Sequence, residues 1–307
     1  MEPEAKNLLV ICGPTSVGKS TTAIKLAKNF DGEIINCDSM QIYKDFDIGT
    51  DKPPVDKMED IPHYLIDILP PSTQFTAADF VNRALEAIKY IMKKKKLPII
   101  AGGTGLYLKA LINGLFPEEI KDPIIRLGLE QEARDNGLEK LREKLKEVDP
   151  YYAQKIGMND RIRIIRALEV FYATGKPFSE HFPNTKSLLE DFNIIKIGLK
   201  LERNELYKKI ENRVDKMFEK GIVTEVQNLL LSGVSEDSPP FRALGYKYVL
   251  QLLREEISLE TAISLTKKDT RNYAKRQMTW FRKMEGIQWY FPNDLASIIE
   301  YVKNNLK

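Results

Sequence analysis

Leu8-Leu9-Val10-Ile11-Cys12-Gly13-Pro14-Thr15-Ser16-Val17-Gly18-Lys19-Ser20, continuing into Thr21-Thr22-Ala23-Ile24-Lys25-Leu26-Ala27, reads as a buried strand, a glycine-bounded loop and a helix. Gly13 to Ser20 is a complete G-x-x-x-x-G-K-S phosphate-binding loop, and strand before and helix after are the context that motif requires. The glycines let backbone N–H groups close around phosphate oxygens; Lys19 adds a cation, and the Ser20 hydroxyl can hold Mg²⁺. Thr15 and Ser16 contribute further hydroxyl donors, while Pro14 and Val17 complete the loop. The stretch therefore predicts a site for a polyphosphate or a diphosphate.

Working outward, Glu33-Ile34-Ile35-Asn36-Cys37 is a second apolar run, ending at Asp38, and His63-Tyr64-Leu65-Ile66-Asp67 is a third candidate strand. Thr76 with Asp79 three residues on signals a capped helix start, and Phe80, Ala84, Ala87, Ile88 and Ile91 give it one apolar face. Lys93-Lys94-Lys95-Lys96 reads as the solvated end of that helix, where cations suit the dipole. Leu97-Pro98-Ile99-Ile100-Ala101 is the next strand and runs into Gly102-Gly103-Thr104-Gly105. Strands alternating with helices of this length predict an α/β fold with a doubly wound parallel sheet, whose ligands lie beyond the carboxyl ends of the strands.

From about Pro117 to Phe182 the pattern becomes helical only, with breaks at Gly137, Asp149-Pro150, Asn159-Asp160 and Gly175-Lys176-Pro177; Asn193 to Leu199 then reads as a strand again. The organisation expected is a catalytic core over residues 1–116 and 183–307, interrupted by a helical insertion over 117–182. Beyond Glu202 the chain reads as mostly helical, with a long helix from Leu259 to Met284.

Among 307 residues, 47 Lys and Arg against 44 Asp and Glu leave a net charge of +3, so any nucleic-acid role rests on local clustering. Cys12 and Cys37 form no C-x-x-C pair and read as small core residues of a reducing compartment. The first residues lack a signal-peptide core and no apolar run is long enough to span a bilayer, so a cytoplasmic protein is expected.

Three strand ends should converge on one sheet edge: the phosphate loop, Asp38-Ser39-Met40-Gln41, and Gly102-Gly103-Thr104. By position alone the functional readings of Asp38, a metal-organising carboxylate or a general base, stand even with a helix cap or turn residue. Arg161, Arg163 and Arg166 crowd the start of one helix; Arg163 and Arg166 share a face, suited to phosphate contact, while Ile162, Ile164, Ile165 and Leu168 can pack. In the 271–283 stretch Arg271, Lys275 and Arg282 form one stripe and Tyr273, Gln277, Trp280 and Met284 another.

Seven ordered blocks of the chain resemble the tRNA dimethylallyltransferase (IPP transferase) family: the phosphate loop, Asp38 to Tyr43, Asp47 to Pro53, Gly102 to Tyr107, Arg163 to Val170, Arg242 to Tyr246, and Lys275 to Arg282. The resemblance implies transfer of a dimethylallyl group from dimethylallyl diphosphate to the exocyclic amine of the tRNA adenosine immediately 3′ of the anticodon. It implies Asp38 as the group that orients the amine and takes its proton. Arg242, Lys19, the loop amides and Mg²⁺ at Ser20 would meet the charge on the leaving diphosphate.

The resemblance also implies tRNA contacts at Asp38, Ser39, Met40 and Gln41, at Thr104 and Arg126, and across Ile162, Arg163, Ile164, Ile165 and Arg166. For Thr104 a helix N-cap is an equal reading, and Arg126 also suits a solvated helix. Ile162 stands where the family usually has a polar residue. Arg276 reaches the active site only on the strength of the resemblance. A base stacked in the anticodon loop would have to be flipped out, with Ser39 and Gln41 bonding around it, and the two parts of the chain would clasp the stem–loop. A monomer acting on tRNA is expected. The alternatives are a prenyltransferase acting on free adenine nucleotides, a phosphate-loop kinase or ATPase that recruits Asp38 to Mg²⁺, and a non-catalytic RNA binder with a relic loop. Lys19 and Ser20 are intact, which speaks against the last, and the cradle could also accept nucleotide phosphates. With only His63 and His181 available, a structural zinc is not expected.

Overall fold

The structure, a computed structural model, describes residues 6–114, 120–184 and 187–307. The chain divides into a larger unit, Met1–Lys109 with Leu189–Lys307, and a smaller one, Ala110–Leu188.

In chain order the elements begin with β1 (Lys6–Cys12), α1 (Lys19–Asn29), β2 (Gly32–Cys37), β3 (His63–Tyr64), α2 (Ala77–Lys93), β4 (Leu97–Gly102) and α3 (Gly105–Asn113). The smaller unit holds α4 (Pro123–Asp135), α5 (Leu138–Val148), α6 (Pro150–Lys155) and α7 (Arg161–Thr174). The larger unit resumes with β5 (Phe192–Leu199), α8 (Arg203–Glu219), α9 (Ile222–Leu231), α10 (Tyr246–Leu253), α11 (Leu259–Phe281), β6 (Ile287–Tyr290) and α12 (Leu295–Asn305).

All pairs in the six-stranded sheet are parallel, in the order β3-β2-β4-β1-β5-β6. β1 is flanked by β4 and β5, so the strand order reverses beside it, and a crevice at its carboxyl end is the expected ligand position. Strand side chains alternate between faces. Leu9, Ile11, Ile34, Ile99, Ile195 and Ile197 pack with Ala23 and Ala27 of α1 and Ile298 and Val302 of α12. Leu8, Val10, Ile35 and Ile100, also fully buried, take the opposite face, on whose strands β2 and β4 helix α2 lies. The predicted doubly wound sheet is the fold.

α2 starts at a capping box: Asp79 N–H donates to Thr76 Oγ1, and Thr76 N–H donates to Asp79 Oδ2 at 2.8 Å. Phe80, Ala84, Ala87, Ile88 and Ile91 are all buried. Three expectations are corrected. The third strand stops at Tyr64, because Leu65 and Asp67 adopt φ of 59° and 57° and turn the chain away. The four-residue β6, missed in a tail read as helical, extends the sheet beside β5. Lys94 and Lys96 are not simply solvated. Lys94 Nζ donates to both oxygens of Glu33 at 2.7 and 2.8 Å, and Lys96 lies 3.7 Å away. Burial of Glu33 alone would raise its pKa, but the hydrogen bonds from Lys94 and Tyr64 outweigh that and hold it below the ordinary value.

In the smaller unit every sequence break is a helix boundary. Gly137 precedes α5, Asp149 caps α6 with Pro150 in its first turn, Asp160 caps α7, and Gly175 ends α7 in a left-handed conformation. Leu129, Leu141, Leu145, Ala153, Ile164, Ile165 and Leu168 form its core.

Candidate active site

Register brings the site together. Cys12 pairs with Gly102, and Cys37 with the same Gly102, so the residues after β1, β2 and β4 leave the sheet at one level. Those residues are the phosphate loop, Asp38 to Gln41, and Gly103-Thr104. The strand ends approach so closely that a Cβ on Gly102 would lie 2.0 Å from the Cys37 carbonyl oxygen. All three segments line one cavity of about 520 Å³ in the larger unit, together with Arg213, Arg242, Tyr273 and Arg276.

Gly18, with φ of 106°, turns the loop into α1 and leaves that helix without a side-chain cap or an acidic residue in its first turn. The first N–H groups of α1 therefore stay available, and the dipole favours an anion in front of them. Lys19, Ser20 and Thr21 line the cavity there. Lys19 Nζ donates to the Pro14 carbonyl at 2.8 Å. Burial lowers the Lys19 pKa to about 8, opposed by Asp38 and reinforced by Arg213. Ser16, at φ 62°, holds a buried hydroxyl with no hydrogen-bond partner.

Asp38 Oδ1 accepts the N–H groups of Met40 at 2.8 Å and Gln41 at 3.3 Å. The carboxylate is thus both the turn residue and a cavity residue, with its second oxygen not engaged by these bonds. Thr104 Oγ1 accepts Ser39 N–H at 3.1 Å, tying the β4 loop to the β2 loop. Tyr273 stands next to both: burial pushes its phenol above the ordinary range, Asp38 adds to this, and a hydrogen bond with Thr104 opposes it. Gln41 does not have its amide donors free for a base, because Nε2 donates to the carbonyls of Thr50 and Asp51 at 3.0 and 3.1 Å.

The 47–51 segment is held by Glu225 of α9 and by Tyr246, which the sequence reading placed in a separate block. Glu225 accepts the N–H groups of Asp47 and Ile48 at 3.1 and 2.8 Å, and Tyr246 hydroxyl accepts Gly49 N–H at 3.0 Å while donating to Glu225. Tyr246 is fully buried against Phe46, which places neighbouring Arg242 at the cavity edge.

Sequence reasoning missed Arg213. Its guanidinium donates to Thr15 Oγ1, lies 3.3 Å from Asp51 and reaches the Thr50 carbonyl, so it braces the phosphate loop with positive charge. Within Lys208-Lys209-Ile210-Glu211-Asn212-Arg213 it looks like an ordinary solvated helix arginine, and only the packing of α8 reveals it. Arg213→Ala should weaken binding of inorganic pyrophosphate by about tenfold to a hundredfold, as loss of hydrogen bonds to a charged group does. Isothermal calorimetry checks this, and an unchanged Kd would remove Arg213 from the anion site.

Residues 41–284 match the family described as IPP transferase. The chain is 48% identical to a tRNA dimethylallyltransferase of Acetivibrio thermocellus over 97% of its length and 96% of the relative's, and 45% identical to one of Geobacter sulfurreducens over 95% and 94%.

The chain belongs to the IPP transferase family.

Among solved structures, the tRNA isopentenylpyrophosphate transferase of Bacillus halodurans superposes with a TM-score of 0.73 at 38% identity, covering 98% of this chain and 97% of that one. A eukaryotic dimethylallyltransferase described as acting on tRNA gives 0.82 at 31% identity, covering 98% and 80%.

In this IPP transferase the oxygen donors lining the cavity include the Ser20 hydroxyl and the carboxylates of Asp38 and Asp51, the last already beside Arg213. No cluster of three or more His, Cys, Asp or Glu able to hold a metal occurs among the described residues. That set fits Mg²⁺, which keeps several waters and is held largely through substrate phosphates rather than by an all-protein cage.

The remaining tRNA-contact candidates lie in the smaller unit. Ile164 and Ile165 are 0% and 2% exposed, so the expectation of side-chain contact there is corrected: both are core residues of α7. Ile162, expected to pack, is 73% exposed. Arg163 extends outward and pairs with Asp160 at 2.9 Å. Arg166 donates to the Ile120 carbonyl at 2.8 Å and pairs with Glu169, and Arg126 pairs with Glu130 and Glu169.

Proposed function

We propose that this transferase moves the dimethylallyl group of dimethylallyl diphosphate onto N6 of the tRNA adenosine 3′-adjacent to the anticodon. The observation that carries the reading is the single cavity in which an uncapped phosphate-loop helix and the Asp38 carboxylate face the same space. A phosphoryl-transfer enzyme would also use a carboxylate there, on Mg²⁺, so membership of the IPP transferase family is what favours the prenyl reading. A weakly nucleophilic adenine amine needs the carboxylate.

In this reading the N6 lone pair forms a bond to C1 of the allyl group as the C1–O bond breaks, and the bonding pair stays on diphosphate. The N6 proton passes to Asp38, whose geometry is fixed by Met40 and Gln41 N–H. The amides at the start of α1, Lys19, Arg213 and Arg242 stabilise the growing charge on the departing oxygens. Mg²⁺, when bound by Ser20 and the diphosphate, supplies further charge neutralisation there. Ser39 and Tyr273 would wall the position of the flipped base, with Arg276 beside them and Thr104 holding Ser39 from behind. Arg126, Arg163 and Arg166 offer the smaller unit's charged contacts to the RNA backbone, with exposed Ile162 available only for apolar contact. We place this activity in a cytoplasmic monomer; no described helix is long and apolar enough to cross a membrane.

The test is incubation with unmodified tRNA, dimethylallyl diphosphate and Mg²⁺, followed by mass spectrometry of anticodon-loop fragments. A prenyl increment on one adenosine is expected. Prenylation of free AMP without tRNA modification, or ATP consumption without prenylation, would overturn the reading.

A further inference from the structure

α11 buries a line of small and polar residues, Ala262, Thr266, Thr270, Ala274 and Gln277, before Phe281. Gln277 is the longest polar member and is 6% exposed. Its Oε1 accepts Thr15 N–H at 2.8 Å, and its Nε2 donates to the Gly103 carbonyl, also at 2.8 Å. The two partners belong to different strand-end loops, one cradling phosphate and the other carrying Thr104. A backbone N–H demands an acceptor and a carbonyl demands a donor, so a terminal amide of this length meets both needs where a carboxylate, ammonium or thioether cannot. A Cβ on Gly103 would lie 2.3 Å from Gln277 Nε2 and 3.5 Å from Lys19 Nζ, so those two nitrogens are within about 6 Å of each other.

We infer that Gln277 is a positioning residue of the transfer reaction, a bridge that sets the crown of the phosphate loop against the loop bearing Thr104. The inference rests on the proposed reading for its reaction, while its geometry concerns diphosphate alone. Because Gln277 occupies Thr15 N–H, that amide is turned from the anion, and the donors left for diphosphate are those further along the loop and at the start of α1. The bridge thereby fixes where the phosphate seat lies relative to the wall that receives the base.

The groups that face Lys19 are Asp38 at the end of β2, Arg213 on α8 and the buried thiols of Cys12 and Cys37. From α11, Tyr273 and Arg276 line the same cavity. Gln277→Glu retains an acceptor for Thr15 N–H, sets its other oxygen against the Gly103 carbonyl and adds a negative charge near Lys19. Gln277→Met keeps the length and removes both hydrogen bonds.

The experiment measures binding of inorganic pyrophosphate with Mg²⁺ to the full chain at neutral pH, alongside tRNA affinity in the absence of donor. Gln277→Met is expected to weaken pyrophosphate about tenfold and change tRNA affinity by less than about threefold, with the larger effect of a lost buried hydrogen-bond pair falling on the anion. Gln277→Glu, which keeps the acceptor for Thr15 N–H but loses the donor to the Gly103 carbonyl, is expected to weaken it further, again with tRNA affinity changed by less than about threefold. A purely structural role would lower both affinities together. Unchanged pyrophosphate affinity in Gln277→Met would overturn the inference. So would unchanged pyrophosphate affinity, or an equal loss of both affinities, in Gln277→Glu, which remains decisive where the Met variant fails to fold. Failure of the parent protein to prenylate tRNA, with these binding results intact, would instead sink the functional reading.

Discussion

Asp38→Asn is expected to lower the single-turnover rate of prenyl transfer by about a thousandfold, within the range that a positioned general base contributes. Asn keeps an oxygen for the N–H groups of Met40 and Gln41, so the β2 turn survives and tRNA affinity should stay within about threefold of the parent. Asp38→Ala is the poorer experiment, since it also strips the turn of its acceptor. Rapid-quench assays at saturating tRNA and donor separate the two effects. Transfer at near-parental rate in the Asn variant would mean that Asp38 serves the turn and not the proton.

Lys19→Met should cost about a thousandfold in kcat/KM for the donor, as removal of a preorganised group at a developing oxyanion does. The parent protein adds a pH signature. Burial depresses the Lys19 pKa to about 8, so in the empty site its charge is complete well below that pH and lost above it. A bound anion favours the charged form. The Lys19 contribution to diphosphate affinity is therefore complete well below pH 8 and falls towards a tenfold loss per pH unit above about 8, with proton uptake by Lys19 on binding in that range. Calorimetry of pyrophosphate binding in buffers of different ionisation enthalpy reads that uptake directly. It should vanish in Lys19→Met, and persistence there would assign the titration to another group.

How much of this was legible beforehand differs from residue to residue. The strand–loop–helix around the phosphate-loop motif was readable because it is built from local turns, which glycine spacing encodes within eight residues. The capping box at Thr76, the Asp149 and Asp160 caps and the Gly175 stop were readable for the same local reason. β6 escaped because four residues carry too little periodicity, and the strand exists only through its pairing with β5. Ile162 and Ile164 show the limit in another form. Both are apolar residues of one helix, and only the packing of α7 decides that the second is buried and the first is not.

The sequence by itself determined the strand–loop–helix at the amino end, the alternation of strand and helix, the helix boundaries from Gly137 to Gly175 and, through seven ordered blocks, the family. Only the tertiary structure decided that Arg213 and Gln277 reach Thr15 of the loop, that the donors of Gln41 are spent on the 47–51 segment, and that Glu225 and Tyr246 hold that segment in place. The physical reason is reach. Caps, turns and glycine loops are interactions between near neighbours, so their chemistry is written in the residues that make them. Arg213 meets a partner 198 residues away and Gln277 one 262 away, and nothing local distinguishes either from an ordinary polar residue on a helix until the sheet has set the register.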